Sequence, residues 1–487
     1  MEKLPVTLYR AAQVRELDRI AIEDFHIAGY ELMSRAGEAV FQVLRQQWPN
    51  AQSLAVFCGS GNNAGDGYVV ARKALESGMK VRVLALSDPE TLKGDALTAY
   101  RDFCKVSGTV SAYRPGLPLE ADVIVDALLG TGLDRPVTGG YAEAIREING
   151  LDVPVIAVDI PSGLHADTGN VMDCAVKATY TVSFIGLKQG LFTGSAPEYA
   201  GEIVYFSLSV PEAVFRRVSS NVTRVVAKPL PLRDRCAHKG QMGHVLIVGG
   251  DQGFSGAARM AGEAALRVGA GLVSVATRTE HAGLMNLNRP ELMCHGVAAP
   301  EQLTGLLEKT DVIAVGPGLG QSDWAKALWA SVLESQKPLV VDADGLNLLA
   351  SAGVRKPNWI LTPHPGEAAR LLASATAEIL RDRFEAARAL QSRYGGITVL
   401  KGAGTLVASS DRVAVSGTGN PGMASGGMGD VLSGVIAGLL AQGLYLQEGA
   451  EQGVYLHGMA ADLAAAKGGE RGLLATDLMP YLRQLVN

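Results

Sequence analysis

Three stretches in the first half of the chain set oxygen-bearing side chains among glycines. They are Cys58-Gly59-Ser60-Gly61-Asn62-Asn63-Ala64-Gly65-Asp66-Gly67, Val125-Asp126-Ala127-Leu128-Leu129-Gly130-Thr131-Gly132 and Val158-Asp159-Ile160-Pro161-Ser162-Gly163. Glycine lets a backbone approach a ligand closely, and the unpaired N–H groups of a new helix attract anions. The first stretch reads either as such a turn or as a tight turn in which Asp66 caps a helix. It is not a dinucleotide fingerprint: Gly59 and Gly61 give G-x-G, but the next glycine falls at 65, and Asp66 would repel a pyrophosphate. Asp126, Asp159 and Ser162 each follow an apolar run. Amide, hydroxyl and carboxylate oxygens gathered in this way suit a hard cation beside a polar substrate, and without a His or Cys cluster a transition metal is not expected.

The second half carries a different cradle. No G-x-x-x-x-G-K-[ST] occurs, so a nucleotide must be held another way. Gly417-Thr418-Gly419-Asn420-Pro421-Gly422-Met423-Ala424-Ser425-Gly426-Gly427-Met428-Gly429-Asp430 leads into an apolar helix expected over Val431–Leu440. Amides from Gly427 to Asp430 would face an incoming phosphate, reinforced by the helix dipole. Asp430 at that helix start can act as general base toward a hydroxyl; an N-capping Asp is the simpler alternative, but a cap does not call for so many glycines.

These loops need strands and helices to hold them. Apolar runs at Leu54–Gly59, Val81–Leu86, Val123–Ala127, Pro154–Ile160, Thr179–Phe184 and Ile203–Leu208 alternate with helical stretches such as Asp66–Gly78 and Tyr141–Asn149, after two N-terminal helices at Ala11–Phe25 and Glu31–Trp48. The alternation restarts at His244–Gly250. It continues through Leu272–Thr277, Asp311–Gly316, Pro338–Asp344, Ile360–Pro363, Thr398–Lys401 and Arg412–Ser416. Two doubly wound α/β domains follow, 1–220 and 221–487, the first Rossmann-like, with ligands expected beyond the carboxyl ends of the strands. Glycine, 58 of 487 residues or about 12%, exceeds the usual ~7% and gathers at those ends. A formal charge of −5 argues against nucleic acid as a partner, and no run of apolar residues suits a membrane span or a signal peptide. Five scattered cysteines fit a reducing compartment, so a cytoplasmic enzyme is expected, with homo-oligomers favoured by the glycine-rich apolar helices.

Taken in order, Leu32-Met33…Ala36-Gly37, GNNAGDG, VDALLGTG and VDIPSG resemble the NAD(P)H-hydrate epimerase domain of YjeF N-terminal type, over roughly residues 10–210. The resemblance implies K+ held by Asn63 (or Asn62), Asp126 and Ser162. It places the hydrated cofactor against Asn62, Asn63, Ala64, Gly65 and Asp66, the turn Gly130, Thr131, Gly132, Leu133, Asp134, Arg135 and Pro136, and Asp159. Ala64 stands where the family commonly has glycine. Exchange of R and S configuration at C6 of a hydrated nicotinamide requires a proton acceptor and donor near the hydroxyl. Asp159 is the expected group; Lys188 is a second candidate, against its reading as a solvated surface lysine.

In the second half GGMGD resembles the G-x-G-D anion hole of ribokinase-like kinases. Together with Asp342-Ala343-Asp344-Gly345-Leu346-Asn347, Thr362-Pro363-His364-Pro365-Gly366-Glu367, Leu400-Lys401-Gly402-Ala403-Gly404-Thr405 and Gly316-Pro317-Gly318-Leu319-Gly320 it is similar to ADP/ATP-dependent NAD(P)H-hydrate dehydratase, over about 235–485. By that resemblance Lys401, Gly402, Ala403, Gly404, Thr405 and Gly429 contact the nucleotide, and Ala257, Gly318, His364 and Asp430 line the hydrated nicotinamide site. Glu367 and Asp342 are expected as indirect Mg2+ partners. The implied activity is bifunctional: epimerisation of both NADH and NADPH hydrates, then ADP- and Mg2+-dependent dehydration of the S form, with Asp159 and Asp430 catalytic. Fusion of the two halves points to ADP over ATP. The alternative is a ribokinase-like kinase of a vitamin precursor with an accessory nucleotide-binding domain; a third is a scaffolding N-terminal half without catalysis.

Overall fold

A computed structural model of the chain describes residues 2–116 and 119–487. The chain divides into two compact units, Met1–Val222 and Thr223–Asn487.

In the first unit seven strands form one parallel sheet: β1 (Ser53–Cys58), β2 (Lys80–Ala85), β3 (Val110–Ala112), β4 (Val123–Ala127), β5 (Val155–Val158), β6 (Tyr180–Phe184) and β7 (Glu202–Phe206), in the order β3-β2-β1-β4-β5-β6-β7. The inner strands are buried on both faces, which is why they read as continuous apolar runs. Helices α1 (Ala11–Glu23), α2 (Gly29–Gln47), α3 (Asn62–Glu76), α4 (Gly94–Lys105) and α5 (Gly139–Gly150) carry apolar stripes toward the core. Leu32, Met33, Ala36, Val40, Val43 and Leu44 form that stripe on α2. The strand order reverses between β1 and β4, whose ends are in register at Cys58 and Ala127. There a Cβ on Gly59 would lie 1.9 Å from the Leu128 carbonyl oxygen, so the loops after β1 and β4 touch backbone to backbone.

In the second unit β8 (His244–Val248), β9 (Leu272–Thr277), β10 (Met293–Gly296), β11 (Val312–Val315), β12 (Leu339–Val341), β13 (Trp359–Leu361), β14 (Ile397–Leu400), β15 (Leu406–Ala408) and β16 (Val413–Val415) lie in the order β16-β15-β14-β13-β12-β11-β8-β9-β10. Among these nine strands the two pairings of β15 are antiparallel and the others parallel. The helices that matter for the site are α6 (Ser255–Arg267), α7 (Ala343–Ala352), α8 (Pro365–Leu372), α9 (Arg383–Tyr394), α10 (Met428–Ala441) and α11 (Leu446–Gly468). Helix α10 is apolar on every side and runs through the interior, with Gly434 against the Ala261 backbone of α6.

Two expectations need correction. Helix α3 starts at Asn62 with Gly61 as its N-cap, so Asp66 lies in the second turn and caps nothing. Helix α10 starts at Met428, not Val431, because Gly427 at φ +90° turns the chain into it. The short strands β3, β10 and β15 left no sequence signal: three or four residues are too few to show a period, and β3 and β10 are half-exposed edges.

Candidate functional site

At the switch point of the first sheet lies a cavity of about 540 Å³. Its wall includes Asn62, Asn63 and Asp66 from α3, the turn Gly130–Arg135 after β4, Asp159 after β5, and Lys188. Lys188 is fully buried, which overturns its reading as a surface lysine. Its ammonium donates to Asp159 Oδ1, to Ser183 Oγ at 3.2 Å and to the Phe184 carbonyl at 3.2 Å. The Phe184 N–H also donates to Asp159 Oδ1, at 3.2 Å. Asp159 adopts φ +67° and Ile185, on the same wall, φ +56°. For a β-branched residue that is an outlier; the Tyr205 hydroxyl on the Ile185 carbonyl (2.6 Å) and the Ile185 N–H on the Phe206 carbonyl (3.0 Å) hold it there.

Asp126, near the end of β4 and outside the cavity wall, is fully buried. Its carboxylate accepts from Ser162 Oγ (2.6 Å), Ser162 N–H (2.8 Å) and Leu128 N–H (3.2 Å), and the Leu129 N–H donates to Ser162 Oγ at 2.8 Å. Burial pushes Asp126 up to about 6, against the pull of the Ser162 and Leu128 hydrogen bonds. Asn63 is buried, packed on Gly130, and its amide nitrogen has no partner. Ala64 and Gly65 are buried against the core, Gly65 on Met33, and Pro136 falls outside the cavity wall. Sequence reasoning missed Asp18 and Arg15 of α1, which line the same cavity from a helix that carries no motif.

In the second unit the predicted residues converge around Lys401. Its ammonium donates to Asp342 Oδ1 at 2.7 Å and stands 3.7 Å from Glu367 Oε2, while Ser433 Oγ of α10 donates to Asp342 Oδ2 at 2.8 Å. A Cβ on Gly429 would lie 3.3 Å from Lys401 Nζ, so the start of α10 abuts the lysine. Val431 N–H is the first of α10 bonded within the helix, to Gly427 O; the N–H groups of Met428, Gly429 and Asp430 precede that ladder. Burial pushes Asp430 up to about 7; Asp342 and Asp344 add to this and Lys401 opposes it. Burial acts to lower Lys401, but Asp342, Glu367 and Asp430 outweigh it and hold the ammonium above its usual range. Glu367 is raised by burial, with Lys401 opposing.

His364 is the N-cap of α8. Its Nδ1 accepts from the Gly366 and Glu367 N–H groups at 3.0 and 3.3 Å, and Glu367 returns the contact to the His364 N–H at 2.8 Å. The ring stays half-exposed and is held below its usual pKa by burial and by Lys401. Gly318, at φ +58°, packs on Phe254 and Ala257, and the Gly320 N–H donates to Asp344 Oδ2 at 2.8 Å, which joins that loop to the acidic cluster. The loop 401–404 is knitted by a residue that the sequence did not reveal. Buried Arg383 of α9 donates to the carbonyls of Leu400 (3.2 Å), Lys401 (3.1 Å), Gly404 (3.2 Å) and Ala403. Thr405 Oγ1 closes on the Gly402 carbonyl at 3.0 Å. Among the described residues no three His, Cys, Asp or Glu side chains form a cluster that could hold a metal, and no helix is long and apolar enough to cross a membrane.

Comparison with known proteins separates the same two regions. Residues 29–190 match the YjeF-related protein N-terminus family, and residues 245–484 match the NAD(P)H-hydrate dehydratase family. A bifunctional NAD(P)H-hydrate repair enzyme of Coxiella burnetii is 52% identical over 99% of both chains. That of Escherichia coli is 45% identical over 99% of this chain and 95% of its own. A solved ADP/ATP-dependent NAD(P)H-hydrate dehydratase from Bacillus subtilis, co-crystallised with ATP and Mg2+, is 31% identical, covers 53% of this chain and 93% of its own, and has a TM-score of 0.48. With both family models matched in order and full-length relatives at this identity, the chain belongs to the family of bifunctional NAD(P)H-hydrate repair enzymes.

Proposed function

We propose that the N-terminal unit interconverts the R and S forms of hydrated NADH and NADPH at the Asp159–Lys188 cavity, and that the C-terminal unit dehydrates the S form at the expense of ADP. The observation that carries this reading is Asp430, a half-buried carboxyl raised to about 7 at the start of α10, beside Lys401 and three amides outside the helix ladder. Hydroxide is a poor leaving group from C6, and phosphate is a good one. Asp430 accepts the proton of the C6 hydroxyl, and that oxygen takes the terminal phosphoryl group of ADP, releasing AMP. The amides of Met428–Asp430 and the Lys401 ammonium stand where the charge of the moving phosphoryl oxygens develops. The ring nitrogen then expels phosphate from C6, and loss of a C5 proton restores the dihydronicotinamide.

In this reading Lys401–Thr405 and Gly429 hold the nucleotide, and Ala257, Gly318 and His364 face the hydrated ring. Mg2+ would supply charge neutralisation on the phosphates. The side chains fit it only as an ion that arrives on the nucleotide with its own waters: Asp342 is already paired with Lys401, which also stands 3.7 Å from Glu367. K+ fits the first unit better. Asp126 is a buried carboxylate with no Lys or Arg within ion-pair distance among the described residues, and Asn63 and Ser162 add neutral oxygens. A monovalent ion there would supply the missing counter-charge, with Asn63, Asp126 and Ser162 as its ligands.

The test follows absorbance at 340 nm after mixed R and S NADH hydrate is added with ADP and Mg2+. Full recovery of NADH is expected from the wild type, and recovery that stops at the S fraction from Asp159→Asn. Full recovery from Asp159→Asn would remove that residue from the epimerase site. No recovery by the wild type, even with ATP, would favour the kinase alternative.

A further inference from the structure

Helix α1 carries into the N-terminal cavity a carboxyl that no motif marks. Asp18 lines the same wall as Asp66, Asp159 and Lys188. Among the described residues it has neither a hydrogen-bond nor an ion-pair partner, whereas Lys188 is fully engaged with Asp159, Ser183 and Phe184. Three carboxyls therefore share the field of one ammonium, and they are not equivalent. Asp159 is held by Lys188 and the Phe184 N–H as an ion pair. Asp18 has no such contact: burial pushes it up to about 6, Lys188 pulls it down and Asp159 pushes it up. Asp66 is driven well above the carboxylate range by burial and then by Asp159 and Asp18. The remaining charged groups on this wall are Arg15 on the same helix, Asp95 on α4, and Asp134 and Arg135 in the turn after β4.

We propose that Asp18 is the second proton-transfer group of the epimerase site, working with Asp159 on the C6 hydroxyl of the hydrate. The proposal rests on the epimerase reading of the first unit. Inversion at C6 breaks the C6–O bond with the electron pair leaving on oxygen, while the ring nitrogen's lone pair forms a C=N bond to C6. One proton must reach the departing hydroxyl, which leaves as water. Water then adds to the opposite face, the C=N pair returns to nitrogen, and the added water releases one proton. The departing and the entering oxygen stand on opposite faces of C6, so a donor is needed on one face and an acceptor on the other: the donor arrives protonated and the acceptor ionised, and they end with their states exchanged. Asp159, paired with Lys188, is the ionised member, and Asp18, without a cation in contact, is the protonated one. Asp66, driven up by burial and by both of these neighbours, takes no part in the exchange.

The experiment uses the full chain and pure R NADH hydrate, with R-to-S interconversion followed by chromatography and ADP-dependent dehydration of the S hydrate as the internal control. Asp18→Asn is expected to lower kcat for interconversion at least ~100-fold with KM within about threefold, and to leave dehydration of the S hydrate unchanged. Asp18→Glu, which keeps the acid, is expected to regain at least about a tenth of the wild-type rate. In the wild type kcat falls on the alkaline side of about pH 6, and the residual rate of Asp18→Asn lacks that limb. Interconversion by Asp18→Asn within threefold of wild type, a loss confined to KM, or a Glu variant no faster than the Asn variant overturns the proposal. An inactive Asp159→Asn beside a normal Asp18→Asn removes Asp18 alone. Normal rates in both variants take the epimerase site out of this cavity, and no interconversion by the wild type removes the epimerase reading as well.

Discussion

Replacing Asp430 by Asn should inactivate dehydration and stabilise the C-terminal unit at the same time. The carboxyl is raised from 3.8 to about 7, first by burial and then by Asp342 and Asp344, with Lys401 opposing. A carboxyl whose folded pKa lies above its unfolded value contributes its full stability below about pH 4. It loses that contribution as pH rises through about 7, because the unfolded chain ionises freely and the folded one does not. Three units correspond to about 4 kcal/mol; discounted by half for the partial exposure of the side chain, roughly 2 kcal/mol remains. Asparagine is nearly isosteric and uncharged, so it escapes that loss. At pH 5 the variant should exceed the wild type by well under half of the final gap, and above pH 8 by the full ~2 kcal/mol. Urea unfolding followed by tryptophan fluorescence reads this well, because Trp324, Trp329 and Trp359 all lie in the second unit and only Trp48 in the first. The same variant should lose at least ~100-fold in dehydration rate, and the wild-type kcat/KM should rise to a plateau above about pH 7. A gap that does not change with pH, or a wild type more stable than the variant at pH 8, would refute the electrostatic account. A dehydration rate within tenfold of wild type would refute the assignment of Asp430 as base.

Arg383→Met removes the donors that hold the carbonyls of residues 400–404; an ADP KM raised at least ~10-fold is expected, with a loss of about 3 kcal/mol in unfolding free energy, and an unchanged KM would show that the loop is held by other contacts. Replacing K+ by choline in the assay buffer should slow R-to-S interconversion and leave ADP-dependent dehydration alone, whereas Asp126→Asn should make interconversion slow and indifferent to the cation. Equal rates in K+ and choline for the wild type would remove the cation from the site.

Much of the scaffold could be read because parallel strands buried on both faces appear as unbroken apolar runs, and the glycine turns at their ends mark where ligands go. Asp126, Ser162, Asp159, Lys401 and Asp430 all follow such runs or begin a helix after one, and the fold brings each to its sheet's carboxyl edge. What stayed hidden came from elsewhere. Asp18 is one polar position on an amphipathic helix, indistinguishable in pattern from Glu16 or Arg19, whose side chains pair with each other half-exposed. Only the packing of α1 over the cavity makes it different. Arg383 sits seventeen or more residues from the carbonyls that it binds, and a guanidinium at a helix start gives no hint of burial. The fate of Lys188 depended on whether β6 and the turn after it closed over the side chain, a question of tertiary packing that no local pattern answers.

The two sites divide the same chemical work in opposite ways. In the first unit the buried lysine contacts the carboxylate proposed to move protons, and a second carboxyl is left without a cation. In the second unit the buried lysine contacts Asp342, with Glu367 nearby, and the carboxyl proposed to move the proton is left over. That leftover carboxyl is a better base for being raised, since a carboxylate near 7 accepts a proton from a hydroxyl more readily than one near 4. The arrangement also makes the second site acidic: Asp342, Asp344, Glu367 and Asp430 gather about Lys401, with Arg370 acting more weakly on Glu367. A nucleotide diphosphate entering alone would be repelled by them, and the amides of α10 offset only part of that charge. Nucleotide affinity should therefore depend steeply on a divalent cation carried by the phosphates, and neutralising Asp430 should weaken that dependence even where it abolishes turnover.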